Sequence, residues 1–235
     1  MDYLIKNARV VDGTGVPAYT ADVAITGDII SKIGTIDEYC PHTIDAAGYV
    51  LMPGIIDPHS HADAGIFNPD WSHQRIVQGI TTEITGHCGP SPAPNCPENM
   101  ELLRRIYFDL TNTGVPFDWP FHDFDGWLKT VEQQNLSANY GFFVGHGTLR
   151  ACVMGGKTEK ASPADIQTMQ KLLDESLSQG ALGLALGLSM FPGSYADTYE
   201  LIELAKVVKK HDAIIVAHRR DEGNRAYEAI DEMLT

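Results

Sequence analysis

Apolar and polar residues alternate along the chain in two different ways, and the change falls at Pro53-Gly54. Before that point, short apolar stretches are separated by glycine-containing turns such as Asp12-Gly13-Thr14-Gly15. This pattern predicts a small β-sheet module, because strands favour alternation of period two and glycine permits tight turns. We expect its strands at residues 3–11, 21–25, 29–33 and 49–52.

After Pro53, apolar stretches end in polar residues and are followed by helical patterns, which indicates the strand-helix repeat of a parallel α/β sheet. Ser162 followed by Pro163 marks one helix start, since serine is a favoured N-cap and proline suits the first helical position. Five strands are predicted, at residues 51–59, 81–87, 140–146, 181–188 and 213–218. Four helices are predicted, at residues 71–78, 99–110, 162–179 and 197–210.

The last residues, 222–235, have a helical pattern with no stop signal after it. An eight-stranded α/β barrel takes about 250 residues, whereas only five strands are predicted after Val50. We therefore expect either a smaller open sheet or a barrel whose remaining strands lie beyond Thr235. Uncovered strand edges would favour self-association or pairing with a complementing C-terminal polypeptide.

The composition excludes several classes of partner. The chain has 235 residues, of which 43% are hydrophobic, enough for a buried core. Its formal net charge of −14 repels nucleic acid and anionic membrane surfaces. No apolar run could span a bilayer and no basic leader is present, so we expect a cytoplasmic protein. The four cysteines are irregularly spaced, which is typical of reduced thiols and leaves a thiolate metal ligand open.

The segment Asp57-Pro58-His59-Ser60-His61-Ala62-Asp63 ends the first predicted α/β strand. His59 and His61 are two residues apart, so on an extended backbone both imidazoles point to one face, as two ligands of one metal ion must. A pair of hydrogen-bonded surface histidines is the alternative, but a position at the carboxyl end of a strand favours metal ligands. Asp63 is expected to orient an imidazole.

Two further strand ends carry groups suited to the same chemistry. Cys88, in Thr85-Gly86-His87-Cys88-Gly89, is a candidate thiolate ligand, and an inert buried thiol is the commoner alternative. His218 is a second candidate ligand. Arg219 or Arg220 offers a planar fork for a substrate carboxylate, and a helix-capping charge cluster is the alternative for this segment.

The third strand end and the connection before it leave two alternatives each. His146, in Gly145-His146-Gly147-Thr148-Leu149-Arg150, is a candidate to orient a ligand or contact substrate, and a satisfied core histidine is the alternative. The connection contains a proline-rich stretch at 89–94 and an aromatic stretch at 117–122. Its aromatic residues either cover the core or contact substrate, and connections of this length are usually functional.

Four groups of residues, taken in order, resemble the N-acyl-D-amino-acid deacylase (D-aminoacylase) family of the amidohydrolase superfamily. The resemblance covers nearly the whole chain but only the N-terminal half of the family's length. The groups are Pro53-Gly54-Ile55-Ile56-Asp57-Pro58-His59-Ser60-His61, Gly79-Ile80-Thr81-Thr82 with Gly86-His87-Cys88-Gly89, Gly145-His146-Gly147-Thr148-Leu149-Arg150, and His218-Arg219-Arg220-Asp221-Glu222-Gly223.

The resemblance implies an α/β fold with an incomplete TIM barrel and a small N-terminal β-sandwich portion. Residues 1–52 would form part of the sandwich, and residues 53–235 the first five strands of the barrel. Cys88 and His218 would hold a tight zinc ion together with a strand-six histidine, while His59 and His61 would form a second, weaker site. The family's general-base aspartate would lie beyond residue 235, so no catalytic base is assigned within the chain.

Strand four distinguishes between branches of the superfamily. Hydantoinase-like and dihydroorotase-like members carry a carboxylated lysine at its end, whereas residues 181–188 contain no lysine. Cys88 therefore takes over as the expected anionic ligand, which favours linear over cyclic amides. His87 and Met190 stand where many members of the deacylase family carry asparagine and tyrosine, and both departures bear on substrate choice.

The expected function is zinc-dependent hydrolysis of the amide bond of small-molecule N-acyl-D-amino acids. Arg219, Arg220 and His146 are the candidate substrate-binding residues. A catalytically incomplete fragment, or a subunit that depends on a partner, is the first alternative. A related cyclic amidase is the second.

Overall fold

The computed structural model of the protein describes residues 1–63, 65–111 and 119–235, which fall into the two units Met1–Gly54 and Ile55–Thr235. The first unit is a five-stranded sheet in which β1 pairs with β2 and β2 with β3, each antiparallel, while β4 and β5 pair parallel to β1. The strands are β1 (Tyr3–Val10), β2 (Tyr19–Thr26), β3 (Ile29–Gly34), β4 (Thr43–Asp45) and β5 (Val50–Leu51).

The sheet of the first unit is interrupted by a bulge between Ile5 and Ala8 on β1. Asn7 adopts a left-handed backbone conformation there, with φ of 59°, which is uncommon for residues other than glycine. The Asp22 carboxylate on β2 accepts a hydrogen bond from the Asn7 amide at 2.8 Å and a second from the Ile36 amide at 3.0 Å. One buried carboxylate therefore satisfies the donor that the bulge leaves unpaired.

The four strands predicted in this unit are confirmed to within two residues at every end, and β4 was missed. β4 is three residues long and fully exposed, so it lacks the buried face that produces a readable alternation. Its pairing to β1 follows from tertiary contacts that the local sequence does not encode.

The second unit alternates strands with helices, as the sequence predicts. Its strands are β6 (Ile55–Asp57), β7 (Ile80–Thr85), β8 (Asn139–Phe142), β9 (Val144–Gly145), β10 (Gly183–Gly187) and β11 (Ile214–His218). Its helices are α1 (Pro69–Ile76), α2 (Met100–Thr111), α3 (Phe124–Glu132), α4 (His146–Met154), α5 (Pro163–Ser178), α6 (Thr198–Lys210) and α7 (Ala226–Leu234).

All strand pairs in the second unit are parallel, in the orders β6-β7-β8 and β9-β10-β11. The predicted third strand, 140–146, is found as β8 and β9 with Phe143 between them. Its predicted end was wrong, because His146 does not close a strand but begins α4. Gly145 still pairs with Ala185 on β10, and its amide donates to the Ser91 hydroxyl at 2.9 Å.

Helix starts follow the capping residues. Ser162 caps α5 in a reciprocal capping box with Asp165, which confirms the predicted start. Neither α3 nor α4 was predicted. The signal for α3 was present, since Asp123 accepts a hydrogen bond from the Gly126 amide as an N-cap residue. The start of α4 at Gly145 has no side-chain cap, so no comparable signal marks it.

Aromatic residues form much of the core of the second unit, and they decide one open alternative. Trp119 and Phe121 are 8% and 3% exposed, and Phe121 packs edge-on against Trp127 with ring centroids 5.2 Å apart. The described part of the aromatic stretch therefore covers the core, while Phe117 and Asp118 lie outside the described residues.

Across the described ranges, no helix has the length and apolar character needed to cross a membrane.

Candidate metal centre

Three potential metal ligands meet where β6 and β7 end. His59 and His61 follow β6, Cys88 follows β7, and one donor atom from each lies within 4.8 Å of the others. The Nε2 atom of His59 is 3.3 Å from the Sγ atom of Cys88. Two imidazole nitrogens and one thiolate form a donor set that fits zinc, so the residues present match the metal that the sequence predicts.

The loop that carries Cys88 has an unusual backbone. Gly86, Cys88 and Gly89 have φ values of 80°, 61° and 100°, all in the left-handed region. For a non-glycine residue such as Cys88 this conformation is disfavoured and persists only where the surroundings impose it. A Cβ atom on Gly86 would lie 2.4 Å from the Phe143 carbonyl oxygen, so only glycine fits that position.

Other glycines form the surface on which this loop rests. A Cβ atom on Gly145 would lie 2.1 Å from the Gly89 carbonyl oxygen, and one on Gly187 would lie 2.0 Å from the Cys88 carbonyl oxygen. Both contacts are with backbone, which cannot move aside as a flexible side chain can. Because Gly145 and Gly187 have no side chains, the loop that carries Cys88 can lie directly against the sheet.

The histidine segment is anchored by a separate network. The Asp57 carboxylate accepts from the His59 amide at 3.2 Å, and the Ser60 hydroxyl donates to Glu83 at 2.6 Å. The Arg75 guanidinium lies 3.0 Å from Asp57 and 3.1 Å from Glu83, which is fully buried. Arg75 and Glu83 were not among the predicted site residues, although a glutamate within the apolar strand β7 was a visible signal.

His87 lies beside the three candidate ligands. Its ring stacks on that of His59, with centroids 4.1 Å apart and an interplanar angle of 14°. Burial, followed by the charges of His59 and His61, lowers the pKa of His87 to about 4. The ring is 3% exposed, and within the described chain its Nε2 atom has no hydrogen-bond partner.

The protonation states of two ligands follow from the same surroundings. Burial is the main cause that lowers the pKa of His61, and the charges of His59, Arg75 and His218 add to it. Burial and the Glu222 carboxylate raise the pKa of the Cys88 thiol. At neutral pH, His61 therefore offers a free lone pair, whereas Cys88 must lose a proton to become a ligand.

His218 ends β11 and pairs with Gly187 on β10, the residue that supports Cys88. Its charge acts on His61, but it lies outside the group of three donors within 4.8 Å. Among the four predicted ligands, the structure thus brings His59, His61 and Cys88 into one cluster and places His218 at the end of β11, in the other sheet of this unit.

The two arginines after His218 have different surroundings. The Arg220 guanidinium binds both carboxylate oxygens of Glu232 at 2.9 Å and donates to the carbonyls of Ser194 and Ala196. Arg219 forms an ion pair with Glu222 at 3.5 Å. Arg220 is thus held by four hydrogen bonds within the fold, and Arg219 is the freer of the two.

His146 lies within the protein interior. It is fully buried, and its Nε2 atom is 2.7 Å from the Glu200 carboxylate, which also pairs with buried Arg150. This burial favours a positioning role for His146 over direct contact with a substrate. Asp63, expected to orient an imidazole, is instead buried and hydrogen-bonded to Tyr107; burial raises its pKa to about 7.

Comparison with known proteins identifies the family to which this fold belongs. A model of the amidohydrolase family matches residues 42–221. The chain is 33% identical to the D-aminoacylase of Alcaligenes xylosoxydans xylosoxydans, over 98% of this chain and 47% of that protein. It is 35% identical to the N-acyl-D-aspartate deacylase of the same organism, over 99% of this chain and 46% of that protein.

One solved structure extends the likeness to three dimensions. The N-acyl-D-glutamate deacylase of Bordetella bronchiseptica, crystallised with zinc and a phosphonate mimic of the tetrahedral intermediate, superposes with a TM-score of 0.87 at 31% identity. The match covers 99% of this chain and 48% of that one. The strand-helix fold of this chain is thus similar to that of a zinc-containing deacylase.

The chain belongs to the amidohydrolase family. It spans about half the length of the curated relatives it matches.

Proposed function

We propose that this chain is the N-terminal part of a zinc-dependent hydrolase that cleaves the amide bond of N-acyl-D-amino acids, releasing a carboxylate and a free D-amino acid. The observation that carries the proposal is the cluster of His59, His61 and Cys88 at the ends of two adjacent parallel strands. The substrate class rests on the relatives, three of which are deacylases of D-amino acids.

Within this proposal, His59, His61, Cys88 and His218 hold zinc. Cys88 lies within reach of both histidines after β6, and its supporting residue Gly187 pairs with His218. This arrangement supports a thiolate that serves a tight site with His218 and a second, weaker site with His59 and His61. Bound zinc would supply Lewis-acid activation of water and of the amide carbonyl.

The substrate carboxylate is assigned to Arg219. A guanidinium binds a carboxylate through a planar fork, and Arg219 has its fork less occupied than Arg220. Arg220 would hold the segment between β11 and α7 in place through Glu232. His146 would position the strand end rather than touch the substrate, because it is fully buried.

The fold proposal is an incomplete TIM barrel, with residues 53–235 as its first five strands and residues 1–52 as part of a β-sandwich. Its support is the parallel order of β6 to β11, in which β8 and β9 act as one interrupted strand. Ile56 on β6 and Ile214 on β11 are 61% and 57% exposed, which is unfavourable for strand residues of this kind. We propose that a C-terminal segment, a complementing polypeptide or a second copy covers these strands.

Two alternatives differ in what they require. A cyclic amidase of the hydantoinase type is disfavoured, because β10 contains no lysine to serve as the anionic ligand. A catalytically incomplete fragment shares the fold and the ligands but needs the covering polypeptide for turnover.

The cysteines are free thiols, which supports the cytoplasm as the compartment.

The test combines zinc content with substrate selectivity. Purified protein is analysed for zinc and then assayed with the N-acetyl derivatives of D-aspartate, D-glutamate and D-leucine, their L-enantiomers, and a hydantoin. Stoichiometric zinc with hydrolysis of D-substrates alone is the expected result. Cleavage of the hydantoin, or equal cleavage of both enantiomers, would contradict the deacylase assignment. Zinc binding without turnover would identify the incomplete fragment.

A further inference from the structure

Two cysteines outside the metal centre face each other. Cys96 immediately precedes a short 3-10 helix (Pro97–Asn99), and Cys152 lies in α4. Cys96 packs against the small apolar cluster that contains Cys152 and Leu103, and each of the two thiols shifts the pKa of the other. Both are free thiols with no covalent link between them.

Hydrogen bonds through Asn99 join the two backbone segments that carry the thiols. The Asn99 side chain donates to the Cys152 carbonyl at 3.1 Å, and the Asn99 amide donates to the Cys96 carbonyl at 3.0 Å. The Cys152 thiol also points at the Pro94 carbonyl, 3.7 Å away. Asn99 thus ties the segment of Cys96 to α4, so the two thiols stay adjacent without any movement of the fold.

The two thiols differ in access and in acidity. Cys96 is half-buried and open to a reagent, whereas Cys152 is 8% exposed. The hydrogen bond from Cys152 lowers the pKa of Cys96, while the same bond and burial raise the pKa of Cys152. Thiol exchange needs one accessible thiolate that attacks first and a second thiol next to it, and this pair provides both.

The other cysteines lack this combination. Cys40 is buried in the first unit, with its sulfur near the carbonyls of Met1, Asp2 and His42. Cys88 lies against His59 in the candidate metal centre, and its pKa is raised. Among the four cysteines, only Cys96 joins partial exposure to a neighbouring thiol.

We propose that Cys96 and Cys152 form a reversible modification site that reacts with low-molecular-weight disulfides such as oxidised glutathione. The Cys96 thiolate attacks one sulfur of the reagent, forms a mixed disulfide and releases one thiolate. The Cys152 thiol then attacks the Cys96 sulfur and releases the second small thiol. The two protein thiols are oxidised to one disulfide, the reagent is reduced to two thiols, and the two thiol protons end on them.

The new bond would join the segment that follows Cys88 to α4, which begins at His146. Seven residues lie between Cys88 and Cys96, and this stretch is already fixed to α4 by the Ser91–Thr148 hydrogen bonds at 2.8 and 3.0 Å. The cross-link therefore closes an existing contact rather than creating a new one. This site does not depend on the proposed hydrolase activity.

The experiment treats purified protein with oxidised glutathione and maps the cysteines by peptide mass spectrometry without reduction. Wild type is compared with Cys96→Ser and Cys152→Ser, and Cys40→Ser is the control. Wild type and Cys40→Ser are expected to give the Cys96–Cys152 cross-linked peptide, which dithiothreitol removes. Cys152→Ser should accumulate a glutathione adduct on Cys96, and Cys96→Ser should carry no adduct on Cys152.

Several results would overturn the proposal: no reaction of wild type, an adduct on Cys96 that Cys152 never resolves, or modification of Cys40 or Cys88 while Cys96 stays reduced. Circular dichroism spectra check that the variants fold. If one does not, the wild-type and Cys40→Ser peptide maps decide the question by themselves.

Discussion

Gly187 lies directly against the carbonyl group of Cys88, and a Cβ atom added to Gly187 would come within 2.0 Å of the Cys88 oxygen. Gly187 also pairs with His218 across β10 and β11. One residue without a side chain thus sets the distance between the loop of the candidate thiolate ligand and the strand end of the candidate histidine ligand.

The substitution Gly187→Ala is therefore expected to displace Cys88. Residues that hold ligands in place typically change metal affinity by about 10- to 100-fold when mutated, and we expect a zinc affinity loss in that range. Competition with a chromophoric zinc chelator measures it. Gly156→Ala is the matched control, because a Cβ atom on Gly156 meets nothing within 4 Å. Equal zinc affinity in Gly187→Ala and wild type would refute the positioning role of Gly187.

Glu200 is the shared partner of two buried groups, His146 and Arg150. The substitution Glu200→Gln leaves the Arg150 charge buried without a counter-charge. Removing one partner of a buried ion pair typically costs about 3–5 kcal/mol of unfolding free energy, and we expect a loss of that order in urea denaturation. Glu203→Gln, on the same helix, removes an ion pair with the exposed Lys206 and should cost below about 0.5 kcal/mol. Similar losses in both variants would contradict this account.

Asp22 makes the unfolding free energy of the first unit depend on pH. Hydrogen bonds from the Asn7 amide, Lys6 and the Ile36 amide lower the pKa of Asp22 from 3.8 to about 2. Because the folded-state pKa is the lower one, the stabilisation is fully present above pH 3.8 and is lost as the pH falls toward 2.

The substitution Asp22→Asn should therefore destabilise residues 1–54 by about 1–2 kcal/mol at neutral pH and flatten this acid dependence. Hydrogen exchange of amides in β1 and β2, followed across the acid range, measures both effects. Asp37→Asn, at an exposed position, is the control. An acid dependence in Asp22→Asn that matches wild type would show that Asp22 is not its source.

Substitutions of Arg219 and of Arg220 should affect different properties of the protein. In the active protein, Arg219→Gln is expected to raise KM for N-acyl-D-amino acids roughly 10- to 100-fold, the equivalent of one charged hydrogen-bonded contact, with little change in Tm. Arg220→Gln breaks the contacts with Glu232 and two carbonyls and should lower Tm instead. Kinetics and thermal denaturation of both variants check this, and the reverse pattern would assign the carboxylate to Arg220.

The sequence predicted those parts of the structure that depend on local pattern. The five strand positions of the second unit and the start of α5 at Ser162 follow from apolar periodicity and capping. The meeting of His59 with Cys88 was also predictable, because adjacent parallel strands end at the same edge.

Other features depend on residues far apart in the chain. The start of α4 at His146 follows directly on Gly145, whose amide bonds Ser91, 54 residues earlier. The links from Arg75 and Glu83 to the histidine segment, and the buried pairing of His146 with Glu200, likewise join distant segments. Neither periodicity nor motif spacing contains these contacts, so the sequence left His146 as a candidate for substrate contact.

The central claim is that Cys88 acts with histidines as a metal ligand, and cobalt(II) titration tests it most directly. A thiolate bound to cobalt gives a charge-transfer absorption in the near ultraviolet, which histidine ligands do not give. We predict this band in wild type and in Cys152→Ser, and its loss in Cys88→Ser. A band that persists in Cys88→Ser, or that disappears in Cys152→Ser, would place the metal elsewhere and contradict the account.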